Sequence, residues 1–481
     1  MANINSMKSI FFNFEYTKKY PRLIDDNKRD IVIVGGGIAG LMAAHKLSEK
    51  HKVTLIEAQS IMSGTTKDTT AHITYMQGVF SKLYKKSKIN AKLYLASQLE
   101  GIREIEKTIN ANQIDCGFKS VDEILYTEKF HKGLKKEYEA LKKLGADIEY
   151  AENFEIFNLK NLSCIKANNQ AVFNPLKFLK DLPKNFEILE NTRILEIDTD
   201  NKILYTLNHQ IRADKIIIAT NFPIVNVRGF YFMKMYKSTS YAIAIKSSQN
   251  IFNSVTQMKQ NGMTLRFYND SIIIGGYDHR SGRPKFSDAF KKLEGFAFEN
   301  FDAVNVTDRW SANDCMTSDG IPYVGRLFKK NDDILIISGF NKWGMANSAI
   351  AANVIFDIVQ NKENAYVKLF DPRRKKQILP FFIVNALTNV KNLILKPFTF
   401  LPVKKSESLK CGEGQIAWHK GKKQAVYKDE NKKLHVCNHL CSHLKCQMKF
   451  NDSNLTWECP CHGSRYDIEG NILCGPTNRE I

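Results

Sequence analysis

The sequence predicts an α/β domain interrupted by an α+β insertion and followed by a small all-β module. Three observations carry this. An apolar run near the N-terminus passes straight into a glycine-rich turn and a helical pattern, RDIVIVGGGIAGLMAAHKL. A second strand–glycine–helix unit lies far downstream, ILIISGFNKWGMANSAIAANVIFDIV (334–359). Seven of the ten cysteines (411, 437, 441, 446, 459, 461 and 474) crowd into the last 71 of 481 residues.

The first observation gives the opening elements. Ile31 to Val34 has the uninterrupted apolar character of a strand buried on both faces. Gly35-x-Gly37-x-x-Gly40 follows at once, then helical spacing through Leu41, Ala44 and Leu47. Glycines in this order permit a tight turn, a close approach to a pyrophosphate and close packing of helix on strand. The free N–H groups and dipole of the helix N-terminus favour the anion. A second strand, KVTLIEA, ends in Glu57, about twenty residues past the glycines, where a carboxylate can accept the adenosine ribose hydroxyls. Strand, turn, helix, strand and acid in sequence define a Rossmann-like dinucleotide site.

Composition narrows the class. The length suits two to four domains with proper cores. The net charge of +20 comes from lysines scattered along the chain, so it reads as compositional bias and no nucleic-acid partner is expected. A basic face does suit an acidic electron carrier. The start, MANINSMKSIFFNFEY, lacks a signal-peptide pattern. The apolar stretch 379–402 is broken by Asn385, Asn389, Lys391, Asn392 and Lys396, which makes it amphipathic and argues against a transmembrane segment. A cytoplasmic protein is expected. The clustered cysteines fit a local metal site better than a disulfide scaffold.

In the middle of the chain, 81–112 has helical spacing, and 130–144 forms a second helix closed by Gly145. MTLRFYNDSIIIGGYDHR (263–280) reads as a hairpin turning at Asn269-Asp270. Between these and the N-terminal unit lies SGTTKDTTAHIT (63–74), a loop of small hydroxyl residues. This loop, TRILEI (192–197), ADKIIIATNFP (213–223) and DGIPYVGRL (319–327) with the 334–359 unit resemble the FAD enzymes of the glycine-oxidase and D-amino-acid-oxidase (DAO) superfamily.

The resemblance implies FAD, with Thr65, Thr66 and Thr70 wrapping the pyrophosphate and ring and 192–197 as the strand whose backbone meets adenine. Gly339, Gly344 and Met345 would set a helix N-terminus, starting near Ala346, against the flavin ring. It implies a discontinuous FAD domain (28–80, 165–235 and 305–362), a substrate domain (81–164 and 236–304) and a helical linker (363–404) before the last module (405–481). Substrate recognition often uses an Arg with a neighbouring Tyr. Arg266, Tyr268, Tyr277, His279 and Arg280 on or beside the hairpin are the candidates, with no catalytic residue assigned.

In the last module, Gly and Lys turns separate short runs as in a small antiparallel barrel. Cys441-Ser-His443 and Cys459-Pro-Cys-His462 are separated by fifteen residues. Two loops that each offer a thiolate and an imidazole suit a [2Fe–2S] cluster with one Cys₂ and one His₂ iron. Cys₂His₂ also suits tetrahedral zinc.

CSHLKC and CPCHGSRYD closely resemble the Rieske family. That resemblance implies Cys441, His443, Cys459 and His462 as ligands, a disulfide between Cys446 and Cys461, and hydrogen bonds from Ser464 and Tyr466 to cluster sulfur. Such donors raise the potential. Pro476 matches the turn that covers the cluster. The earlier pair Cys437/His439 lies nineteen residues before Cys459, longer than the family spacing, and lacks a cysteine five positions on after its own. The pattern gives no role to Cys437, His439 or Cys474.

Together these features resemble a bacterial family of FAD oxidoreductases fused to a Rieske domain. The expected function is dehydrogenase-like, moving electrons between a small donor, an amine or amino acid, and an external carrier. That carrier would be a ferredoxin- or flavodoxin-like protein or a quinone. The alternative is an electron-transfer or redox-sensing protein without a substrate of its own.

Overall fold

The computed structural model describes residues 7–12, 18–128, 131–225, 229–247, 249, 253–259, 261–283, 288–302, 305–328, 331–374, 383, 385 and 403–481. Most of the expected linker, 375–402 apart from Ile383 and Asn385, lies outside the described residues, as does most of the apolar stretch 379–402. The described start of the linker contains only the short helix Val367–Phe370.

The N-terminal strand Arg29–Val34 sits inside an eight-stranded sheet. It pairs in parallel with Gln210–Ile218 on one side and Val53–Ile56 on the other. Ile334–Ser338 and Glu187–Leu189 extend this parallel core, and Tyr323–Arg326 closes one edge antiparallel. Both faces are covered, which is why Ile31 to Val34 and Ile334 to Ile337 are buried without alternation. Helix Ile38–Leu47 packs against helix Gly344–Val359, so the two glycine units distant in sequence share one layer.

A second, nine-stranded mixed sheet is built from the insertion. Its hairpin pairs Thr264–Tyr268 with Ser271–Arg280, and Asn269 takes a positive φ of 54° in the two-residue turn. The helical region begins as Phe80–Lys86 and resumes as Lys88–Asn112, because the Ser87 side chain accepts from Asn90 N and starts a new helix. The next helix is Lys132–Lys143, followed by Gly145 at φ 85°.

Two expectations need correction. The boundaries at 165 and 305 do not separate the sheets. Leu159–Val172 and Asn305–Thr317 are long strands of the second sheet, and His72–Ile73 also joins it. Their pairing is long-range, so local patterning could not assign them. The segment 192–197 is not one strand: only Glu196–Asp198 is extended, and it pairs outside the parallel core with Ile203–Tyr205.

The C-terminal module contains two small antiparallel sheets. One joins Gly414–His419, Lys422–Lys428 and Leu434–Cys437; the other joins Lys449–Asn451, Thr456–Glu458, Arg465–Tyr466 and Ile472–Cys474. Its small core gathers Cys437, Cys441, Cys446, Met448, Trp457, Cys459, Cys461 and Tyr466. So few apolar side chains make a slender core, so cross-links and contacts with the larger body matter here.

Candidate functional site

A cavity runs along the C-terminal ends of the parallel strands, the usual place for ligands in such sheets. Gly35, Gly37, Glu57, Thr65, Thr66, Thr70, Gly339, Gly344 and Met345 all line it. Gly40 does not; it packs so closely on Gly35 that a Cβ would overlap the Gly35 carbonyl oxygen. Gly35 itself has φ 115°, a backbone conformation that side chains disfavour.

The hydroxyl-rich loop is tied across this cavity. Thr66 Oγ1 accepts from Ile38 N at 2.9 Å, fastening the loop to the first helical turn. Thr65 Oγ1 donates to Asn313 O and accepts from Asn221 Nδ2. Glu57 accepts from Gly36 N at 2.7 Å, so the acid also holds the glycine turn. Both helices that begin at the cavity, at Gly37 and Trp343, have N-caps without a side-chain hydrogen bond. Helix N-termini whose own N-cap residues supply no side-chain acceptor, with a glycine-lined wall, fit an anionic dinucleotide.

The hairpin candidates lie elsewhere. None of Arg266, Tyr268, Tyr277, His279 and Arg280 lines the cavity. Arg266 is buried beneath the loop, donating to Thr70 O, Ala71 O and Phe173 O, with its guanidinium against the Phe11 and Tyr268 rings. Tyr268 Oη accepts from Asn174 Nδ2, and Tyr277 lies beneath Lys292. His279 is bonded to the Tyr241 hydroxyl and donates from Nδ1 to Arg280 O. These residues build the cavity's support. Among the charged side chains that reach it are Lys237, Asp278, Asp314 and Lys342, with Lys342 and Asp278 paired at 2.9 Å; Glu57, Asp68 and Arg193 line it as well. Burial pushes Asp314 up to about 6. No local motif marks the first four; pairing of Met235–Lys246 with Ser271–Arg280 and Asn305–Thr317 brings Lys237, Asp278 and Asp314 together, and Lys342 joins them from the turn before helix Gly344–Val359.

In the C-terminal module, Cys441, Cys459 and His462 are buried and His443 is half-buried. The His443 and His462 rings meet edge to face with centroids 5.0 Å apart. Both nitrogens of His462 are buried without a hydrogen-bond partner, an arrangement that suits a metal ligand. Burial pushes His443 down to about 4 and His462 well below the ordinary histidine range, so both imidazoles are neutral. A hydrogen bond from Cys459 holds the Cys441 thiol below its ordinary range. Neutral imidazoles are the state that iron ligation requires, while the same hydrogen bond and burial push the Cys459 thiol well up.

Cys446 and Cys461 form the disulfide joining the two loops, and the sulfurs of Cys446, Cys459 and Cys461 lie within 4.8 Å of one another. Tyr466 Oη is 3.4 Å from Cys441 Sγ, and Ser464 Oγ accepts from Thr477 N at 3.3 Å. Cys437 is buried in the module's core, on the strand Leu434–Cys437. Cys474 points elsewhere: it lines the large cavity and accepts from Lys237 Nζ at 3.2 Å.

The two sites share a wall. The loop 472–478, containing the cis Gly475–Pro476 bond, lines the large cavity beside the ligand loops. Lys237, 3 % exposed, also donates to Gly475 O at 2.7 Å. Buried Glu458 accepts from Gly282 N and Asn451 Nδ2, and Asn478 Nδ2 donates to Leu195 O. Arg280 donates to Cys461 O beside the disulfide. Phe222 lines the cavity and stands 6.1 Å, ring to ring, from His462.

Comparison with known proteins agrees with this geometry. Residues 30–358 match the family model DAO, described as FAD dependent oxidoreductase, and 399–481 match the Rieske [2Fe-2S] domain. The Bacillus subtilis (strain 168) protein YhfW, which carries the description of a Rieske 2Fe-2S iron-sulfur protein, is 32% identical over 485 residues, covering 96% of this chain and 94% of its own. Among solved structures, glycine oxidase from Geobacillus kaustophilus superposes with a TM-score of 0.62 at 16% identity, over 73% of this chain and 100% of its own. L-proline dehydrogenase from P. horikoshii gives 0.60 at 18%, over 73% and 98%. At that identity the likeness is one of fold. Among the described residues no helix is long and apolar enough to cross a membrane. Glycine turn, hydroxyl loop, paired Cys–His loops and the matches to both models lead to one assignment: the chain belongs to the DAO family of FAD dependent oxidoreductases and carries a Rieske [2Fe-2S] domain at its C-terminal end.

Proposed function

We propose that the chain is a dehydrogenase-like enzyme that takes electrons from a small amine or amino acid in the cavity and delivers them to an external carrier. The observation that carries this reading is the shared wall, in which the loop 472–478 faces the cavity lined by Gly35, Gly37 and Thr65. Bound flavin supplies two-electron acceptance, and the cluster supplies one-electron exchange with the carrier. The fold likeness to proteins named glycine oxidase and L-proline dehydrogenase favours a donor with an amino group.

The chain's residues take these parts. Gly35 and Gly37 admit the pyrophosphate, Glu57 accepts from the ribose, and Thr65, Thr66 and Thr70 enclose the cofactor. Gly339, Gly344 and Met345 set the helix N-terminus against the ring. Cys441 and Cys459 would hold one iron and His443 and His462 the other, with Tyr466 and Ser464 as donors to sulfur. Phe222 and the segment 472–478, which line the cavity beside His462, would keep water from the path between the cofactors. Lys237 clamps that loop. A ferredoxin- or flavodoxin-like protein or a quinone is the class of carrier.

The test is anaerobic mixing of the purified holoprotein with glycine, sarcosine and L-proline. Bleaching of the flavin band followed by appearance of the reduced-cluster EPR signal is expected for a donor of this class. Inertness to all three, with rapid electron exchange with a ferredoxin, would overturn the enzyme reading.

A further inference from the structure

We propose that His72 takes the donor's proton in the flavin cavity, with Glu123 as its positioning residue; this rests on the amine-oxidising reading above. His72 stands just after the hydroxyl-rich loop, on the short strand His72–Ile73 paired with Leu159–Val172. It lines the cavity and is 6 % exposed. Its two ring nitrogens have different surroundings. Nδ1 lies 3.3 Å from Glu123 Oε2 and 2.6 Å from Ser254 Oγ. Nε2 is buried and has no hydrogen-bond partner among the described residues. A buried polar atom left in that state is costly, so it calls for a reason. A donor N–H in the cavity supplies one.

The cradle around Nδ1 is rigid. Glu123 lies on Lys119–Thr127 and Ser254 on Ser254–Gln257, and these strands pair in parallel with Ser254 opposite Glu123. Glu123 is 1 % exposed and accepts from Thr256 Oγ1 at 2.7 Å. A carboxylate oxygen and a hydroxyl oxygen can both accept, so a proton on Nδ1 serves Glu123 and Ser254 together and leaves the lone pair on Nε2. A carboxylate behind the ring therefore fixes the tautomer and stabilises the imidazolium once Nε2 is protonated. Behind Glu123 lies Arg266, whose Nη1 is bonded to three backbone carbonyls. Glu57, Asp68, Arg193, Lys237, Asp278, Asp314 and Lys342 are the other charged groups on the cavity wall, and burial pushes Asp68 up to about 7.

The step balances as follows. An amine becomes an imine by losing two electrons and two hydrogens. The C–H bond breaks and its hydrogen leaves as hydride to the oxidised flavin. The N–H bond breaks and its hydrogen leaves as a proton to His72 Nε2, while the C=N bond forms. General-base assistance of this kind is worth roughly 10²–10⁴-fold.

The experiment uses the holoprotein and two substitutions. His72→Asn keeps an amide donor for Glu123 but has no Nε2, and His72→Gln places an amide near Nε2 that cannot take a proton. Unchanged flavin and cluster absorbance shows that each variant is folded and loaded. Anaerobic flavin bleaching by glycine, sarcosine and L-proline is followed across the neutral to alkaline range. We expect both variants to bleach roughly 10²–10⁴-fold more slowly and to lose the rising limb of the wild-type pH profile. Glu123→Gln should keep that limb but move it to lower pH, because the imidazolium loses its counter-charge. Wild-type rates with an unchanged profile in both His72 variants would overturn the proposal. If none of the three amines bleaches the wild-type flavin, the donor class fails separately, and a pH titration of the oxidised flavin band decides on His72. A one-proton perturbation present in the wild type and absent from His72→Asn supports a proton-exchanging nitrogen at the flavin, whereas identical titrations overturn it.

Discussion

Lys237 Nζ donates to Gly475 O at 2.7 Å, joining a strand of the larger body to the loop between flavin cavity and cluster. The contact is close enough that a Cβ on Gly463 would overlap the Lys237 side chain.

Replacing Lys237 with Met should therefore loosen the loop without unloading either cofactor. The Gly475 carbonyl loses its buried donor, a cost of about 1–3 kcal/mol. We expect a lower urea midpoint, unchanged flavin content and Rieske spectrum, and at least roughly tenfold slower flavin-to-cluster electron transfer in stopped-flow, since small displacements near reacting groups are costly. Wild-type transfer rates in Lys237→Met would remove the clamp from the account.

Glu458 has no exposed surface and faces Gly282 N, Asn451 Nδ2 and, at 3.8 Å, Arg465 Nε. Glu458→Ala removes the carboxylate that faces Arg465 and leaves the Gly282 N–H without its acceptor, so a loss of about 3 kcal/mol is expected. Chemical denaturation should show the cluster absorbance disappearing at lower denaturant than the flavin signal if the damage is confined to this interface.

The choice of ligands is open to a spectroscopic check. Cys437→Ser should retain the Rieske EPR signal, because Cys437 belongs to the module's core. Cys459→Ser and His462→Ala should each abolish it. Loss of the signal in Cys437→Ser would show that the wrong Cys–His pair has been chosen.

Asp314 supplies a pH dependence. Its folded pKa, raised by burial to about 6, lies above the ordinary carboxylate value of 3.8. The folded state then binds more protons than the unfolded state between these values, so stability falls as pH rises through that window. It reaches a cost of roughly 3 kcal/mol above it. Asp314→Asn should raise the denaturation midpoint at neutral pH and converge with the wild type in acid. A constant offset at every pH would point to packing instead.

Much of this was legible because the chemistry is local. Gly35 to Glu57 and the loops at 441–446 and 459–466 are short segments whose spacing carries their geometry. The hairpin at Asn269-Asp270 was readable for the same reason. Arg266 shows the limit: an arginine on a strand does not reveal which face it occupies, and this one turns beneath the loop to hold Thr70 and Ala71. His72 and Glu123 are 51 residues apart, and Lys237 and Cys474 are 237 apart. Neither contact leaves a mark on local periodicity. The strands Leu159–Val172 and Asn305–Thr317 crossed the expected boundaries for that reason too.

Gly35 and Asn478 line the same cavity. The two walls come from segments far apart in the chain, the glycine turn at 35–40 and the segment 472–478. The cavity is therefore complete only when both are in place, so the C-terminal module supplies part of the compartment that encloses the other cofactor.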